Sequence, residues 1–169
     1  MAYPWTYDEK TKTVSVHYTF NNKLTGLPAD TKIINFKYTN TPPSLFNQPV
    51  YKEDLSPNVQ CIKFGYYFNQ PVNEDSFPSS ITHLFLGKYF DQSLNELPHS
   101  ITHLTMDRTS CYCKEINKLP DDLVFLELPV YYSRPINLPY GLKTLKISAF
   151  YPMANIKVPF GCELLRLKN

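Results

Sequence analysis

Cys61, His83 and His103 carry side chains able to hold a metal ion, and they recur 22 and 20 residues apart in a chain of 169. Thiolate and imidazole suit zinc, but a zinc site draws three or four ligands to one point. Residues spaced at the period of a repeat line up on successive strands instead, so these three read as surface positions and no metal is expected. Cys111-Tyr112-Cys113 is one residue short of a Cys-x-x-Cys pair and lacks a second pair to complete a site. It reads as two ordinary thiols. Paired carboxylates at Glu74-Asp75 and Asp121-Asp122 lie between apolar runs, where such pairs form turns or face water. The sequence contains neither a glycine-rich phosphate loop nor His-Glu-x-x-His. The expectation is therefore a protein without catalytic residues or cofactor, and not an enzyme.

Composition narrows the class further. With 17 basic and 15 acidic residues the formal charge is +2, which gives no case for nucleic acid or an anionic membrane as the main partner. Fifteen prolines run along the whole chain against five glycines, and each proline removes a backbone donor and blocks a helix interior. Thirteen tyrosines and eleven phenylalanines favour strands and packed bends instead. Residues 1–7 lack the basic and apolar regions of a signal peptide, and no apolar run reaches membrane-spanning length. Cys61, Cys111, Cys113 and Cys162 are too irregular for a disulfide framework and read as reduced thiols, so a cytoplasmic setting is expected.

The elements that would position these residues are short strands. The spacing apolar-x-x-apolar-x-apolar recurs as Val59, Ile62, Phe64; Ile81, Leu84, Leu86; Ile101, Leu104, Met106; Leu123, Leu126, Leu128; and Leu142, Leu145, Ile147. Cys162, Leu165, Leu167 is read as the last copy, and Thr31, Ile34, Phe36 as a degenerate first one. Taken at the middle residue the steps are 28, 22, 20, 22, 19 and 20. Such steps match a leucine-rich repeat of about 20–29 residues. In x-Leu-x-Leu both aliphatic side chains share one face of a strand, and one turn cannot bury that face alone. Neighbouring turns must stack, one strand each, into a parallel sheet. Residues 3–20 differ: alternation around the polar turn 8–12 reads as a β-hairpin. The spacing predicts a right-handed leucine-rich-repeat-like solenoid of about seven strands, with irregular returns and little helix. Residues 1–26 would form a capping hairpin and 27–169 the repeats.

Each return ends in a second motif, Phe-Asn-Gln-Pro-Val, intact at 46–50 and 68–72 and decayed at 90–94 and 132–136. Its aromatic should stack from turn to turn, and its Asn or Asp should bond free backbone groups of the bend. Together the halves read Leu-Pro-x-Ser-Ile-Thr-His-Leu-x-Leu-Gly-x-x-Phe-Asn-Gln-Pro-Val. This resembles the FNIP repeat, a leucine-rich-repeat relative found in amoebae and in the giant viruses that infect them. Residues 77–94 and 97–106 match closely and 46–50 and 55–72 well, while 119–136 and 138–169 match in the apolar positions and the Leu-Pro opening. The resemblance implies a protein-interaction module acting in an amoebal cell or during viral infection, with host proteins as partners. In that family the repeats often follow an F-box, which recruits a ubiquitin ligase scaffold. Residues 1–26 are too short and too strand-like to be one.

On such a sheet the residues between the apolar ones form columns on the open face. One column holds Cys61, His83, His103 and Phe125; the next holds Lys63, Phe85, Thr105, Glu127, Lys146 and Arg166. Aromatics beside charged groups are the composition of a protein-binding surface. The candidate partner-binding residues are Lys63, His83, Phe85, His103, Thr105, Phe125, Glu127, Lys146 and Arg166. An alternative is structural self-assembly. Cys162, Leu165 and Leu167 would leave an open apolar edge at the C-terminal end, and two copies could pair there as a homodimer.

Overall fold

The computed structural model describes residues 4–36 and 42–168. Residues 1–3 of the expected hairpin, and residues 37–41 and 169 of the expected repeats, lie outside the described residues. A nine-stranded sheet runs in chain order. β1 (Trp5–Asp8) pairs antiparallel with β2 (Thr13–Val16). Parallel strands follow at β3 (Ile33–Asn35), β4 (Cys61–Lys63), β5 (His83–Leu86), β6 (His103–Met106), β7 (Phe125–Glu127), β8 (Thr144–Ser148) and β9 (Glu163–Leu167). Helix among the described residues is limited to two single 3-10 turns, Lys52–Asp54 and Met153–Asn155. The leucine-rich-repeat-like solenoid expected from spacing is what the chain forms.

The ladder pairs the residues that spacing selects. Ile34 lies opposite Ile62, then come Leu84, Leu104, Leu126 and Leu145, all at most 1% exposed. Prolines start the strands for a definite reason. The carbonyls of Pro28, Pro78, Pro98, Pro120, Pro139 and Pro159 each accept from the N–H three residues on, at 3.0–3.2 Å. A turn of that kind uses the carbonyl of its first residue and not its N–H, so proline costs nothing there.

Two further ladders hold the returns. Rings of Phe20, Phe46, Phe68, Phe90, Tyr112, Tyr132 and Tyr151 follow one another at 6.0–6.4 Å between centroids. Beside them each Asn side-chain oxygen accepts from the backbone of the next coil. Asn47 N–H donates to Asn21 Oδ1, Asn69 N–H to Asn47 Oδ1 and Asp91 N–H to Asn69 Oδ1, each at 2.8 Å. The Asn ladder ends at Cys113, whose N–H reaches Asp91 Oδ1 at 3.4 Å.

At its two ends the solenoid departs from the expected arrangement. β2 is itself the first parallel strand, with Val14 opposite Ile34. The coil continues through Phe20-Asn21-Asn22-Lys23-Leu24, a copy of the return motif in which Asn-Lys replaces Gln-Pro. Hairpin and solenoid are therefore one continuous sheet. At the other end β9 pairs Leu164 with Leu145 and Arg166 with Ile147. The expected register placed Leu165 opposite Leu145. Gly161 adopts φ +76°, a left-handed conformation that glycine takes readily, and the chain enters β9 one residue early. A one-residue slip sends every following side chain to the other face. Leu164 and Cys162 accordingly pack against the core. Leu165 and Leu167, expected on the inner edge, fall in outward register with Lys146 and Ser148 on the parallel ladder.

Candidate interaction face

The columns expected on the open face are present over five strands. Cys61, His83, His103, Phe125 and Thr144 lie opposite one another in one row, and Lys63, Phe85, Thr105, Glu127 and Lys146 in the next. All ten are half-buried. Side chains on strands about 4.8 Å apart are forced into contact, and rings placed so close must stack. His83 and His103 stack at 4.1 Å with 11° between planes, and His103 continues onto Phe125 at 5.8 Å. Lys63 Nζ sits 4.9 Å from the centre of the Phe85 ring, and Lys146 Nζ 5.0 Å from that of Phe125. Such cation–ring contacts fix the lysine stems over the aromatics.

The histidine rings are held in place by their preceding threonines. Thr82 Oγ1 lies 2.8 Å from His83 Nδ1 and 3.2 Å from the Gln60 carbonyl oxygen. Thr102 repeats this with the Thr82 carbonyl at 3.2 Å and His103 Nδ1 at 2.9 Å. Each hydroxyl thus bonds the neighbouring Nδ1, which fixes the orientation of the ring. Burial holds the pKa of both histidines below the usual value, and for His83 the neighbouring His103 and Lys63 act in the same direction. The Cys61 thiol is pushed up by burial, against a smaller opposing effect of Lys63, so it is a poor nucleophile. Cys61, His83 and His103 stand in a row, as their spacing implied. Among the described residues no three His, Cys, Asp or Glu side chains converge on a point.

Charge on the face is partly paired. Lys146 Nζ lies 3.5 Å from Glu127 Oε2, the carboxylate being mostly buried. Among the described residues Lys63 has no carboxylate partner. Thr105 fills the position between Phe85 and Glu127. Arg166 is a correction. With β9 slipped it leaves the open face and turns toward the preceding return. There its guanidinium donates to the carbonyls of Ala149 and Tyr151 and contacts Met153 Sδ. Leu165 takes its place beside Lys146.

The threonine clamps and the β9 slip escaped sequence reasoning. The doubled Thr-His dipeptide, 20 residues apart, was the available signal for the first. Gly161 beside two alternative aliphatic pairs was the signal for the second.

Three comparisons place the chain. A model of the FNIP Repeat matches residues 46–89. Comparison with curated proteins found no match. Among solved structures, the giant-virus protein CroV588, described as a novel circular LRR protein structure, is similar over 86% of this chain, with 27% identity and a TM-score of 0.69. The chain spans 22% of that protein's length. No helix among the described residues is long and apolar enough to cross a membrane. Residues 46–89 thus match the FNIP repeat, within a solenoid of the leucine-rich-repeat kind.

Proposed function

We propose that this protein is a non-enzymatic interaction module that binds a protein partner on the open face of its sheet. One observation supports this above the rest: the stack His83–His103–Phe125, flanked by Phe85 under Lys63 and by the Glu127–Lys146 pair. Rigid aromatic surface ringed by charge is what binding hot spots are made of. It lies on strands whose positions the core fixes, so it loses little entropy on docking. The partner in this reading is a host protein met in the cytoplasm, as the resemblance to FNIP repeats implies. The binding residues in this reading are Lys63, His83, Phe85, His103, Thr105, Phe125, Glu127 and Lys146.

The test is affinity capture from the host cell with the intact protein, a Phe85→Ala, Glu127→Lys variant and a back-face control, Glu74→Lys. A partner lost only with the face variant supports the reading. The same partners on all three forms would end it. Self-assembly is the second reading, and it has its own observation. Tyr140 is 98% exposed although coils flank it on both sides, and Phe160 in the next coil is exposed as fully. A mass that rises with concentration, and falls back in Tyr140→Ser, Phe160→Ser, would favour it.

A further inference from the structure

We propose that the open face contains a carboxylate-reading groove beside Phe85, which takes an extended partner segment presenting Asp or Glu next to an apolar side chain. This rests on the open-face reading and adds the partner's chemistry. The groove, about 490 Å³, lies where the second column meets the bend after β6. The Phe85 ring provides its apolar lining, and Lys63 and Arg108 its cations.

The charges decide what fits. Two carboxylates line the groove, and both are occupied. Glu127 pairs with Lys146. Asp107 accepts from the N–H and hydroxyl of Thr109 at 2.7 Å and faces the charge of Lys88. The cations are not matched in this way. Lys63 rests over the Phe85 ring, and Arg108 Nη2 donates to the Lys168 carbonyl at 2.8 Å. Among the described residues neither has a carboxylate within 4 Å. A ligand carboxylate therefore meets two cations that the described residues leave without a carboxylate, while a cationic ligand meets repulsion from them.

One more group points to a peptide. Asn35 lines the same groove, and its Oδ1 is buried with no hydrogen-bond partner among the described residues. A buried acceptor without a donor is costly, and a turn of the Asn35 amide about χ2 on docking would bring it to a backbone N–H of an extended segment. The groove thus offers an acceptor for the main chain, an apolar surface for one side chain and cations for its acidic neighbour.

The experiment uses an array of individually spotted ten-residue peptides in matched pairs, each with a central Glu beside Phe or Leu, or the same sequence with Gln. Labelled intact protein is applied, then the variants Lys63→Gln, Lys63→Gln with Arg108→Gln, and Phe85→Ala. Glu peptides should bind about fivefold or more above their Gln partners at low salt. That preference should shrink in Lys63→Gln and disappear in the double variant, with the circular dichroism spectrum unchanged. Glu and Gln peptides binding alike, but only with Phe85 present, would overturn the inference and leave the open-face reading intact. Peptides that bind regardless of all three substitutions, or no binding at all, would overturn the carboxylate reading outright. A preference for a single-stranded oligonucleotide over every peptide would do the same.

Discussion

Replacing Asn69 with alanine isolates what the Asn ladder contributes. Asn69 Oδ1 accepts from the Asp91 N–H at 2.8 Å and from Gln92 Nε2 at 3.0 Å. Its own N–H is held by Asn47 and survives the substitution. Alanine therefore orphans one backbone donor and one side-chain donor in the coil above, without disturbing the coil below. An unpaired buried donor costs about 1–3 kcal/mol. Asp91 and Gln92 are only half-buried, so water recovers some of this and the expected loss is about 1–2 kcal/mol. Asn69→Asp keeps the acceptor, as Asp91 does naturally one coil on, and should restore most of the loss. Urea unfolding of the three proteins measures the cost. Hydrogen exchange localises it: the Asp91 amide should exchange faster in Asn69→Ala while the Asn69 amide stays protected. A loss below about 0.5 kcal/mol, the lower limit for a net hydrogen bond, with Asp91 exchange unaltered, would refute the ladder as a stabilising device.

Other expectations follow from single contacts. A Cβ built on Gly87 would lie 2.0 Å from the Gly65 carbonyl oxygen, so Gly87→Ala must push neighbouring coils away from each other. It should cost at least the ~1–3 kcal/mol typical of overpacking, read as a lower melting temperature. Leu84 is wholly buried, and Leu84→Asp should abolish folding, seen as loss of the far-ultraviolet β signal; a cooperative melt in that variant would contradict the core assignment. His83 and His103 have folded-state pKa values below the ordinary one of about 6.5, so the unfolded chain binds protons first on acidification. Their contribution is complete well above that value and is lost as pH falls through it toward the lowered folded pKa. The melting temperature should therefore decline from about pH 7.5 to about pH 5, and a His83→Gln, His103→Gln variant should decline less.

The interior was readable because its rule is local. Leu84 and Leu126 each sit in x-Leu-x-Leu after a proline, and Leu104 in the equivalent x-Leu-x-Met. The aromatic spine was readable for the same reason, one aromatic heading each return. What escaped was decided by backbone geometry that residue types do not announce. Cys162-Glu163-Leu164-Leu165-Arg166-Leu167 offers two alternating frames, and the left-handed turn at Gly161 selects the one with Leu164 inward. The coil at Val14–Leu24 was read only as a hairpin because Asn22-Lys23 hides the motif that Phe20-Asn21 begins. On the face, spacing alone yielded the columns. The Thr82 and Thr102 clamps needed atoms, since a hydroxyl beside an imidazole acts only at the right χ angles.

The central claim is that the open face is the binding surface, and side-chain footprinting tests it most directly. Hydroxyl radicals would be applied to the free protein and to its complex with a captured partner, and oxidation read by mass spectrometry. The account expects protection of His83, Phe85, His103 and Phe125 while Tyr67, Tyr89 and Tyr131, exposed on the strand-exit bend, stay reactive. Protection of those tyrosines, with the His83–His103–Phe125 stack oxidised as in the free protein, would contradict it.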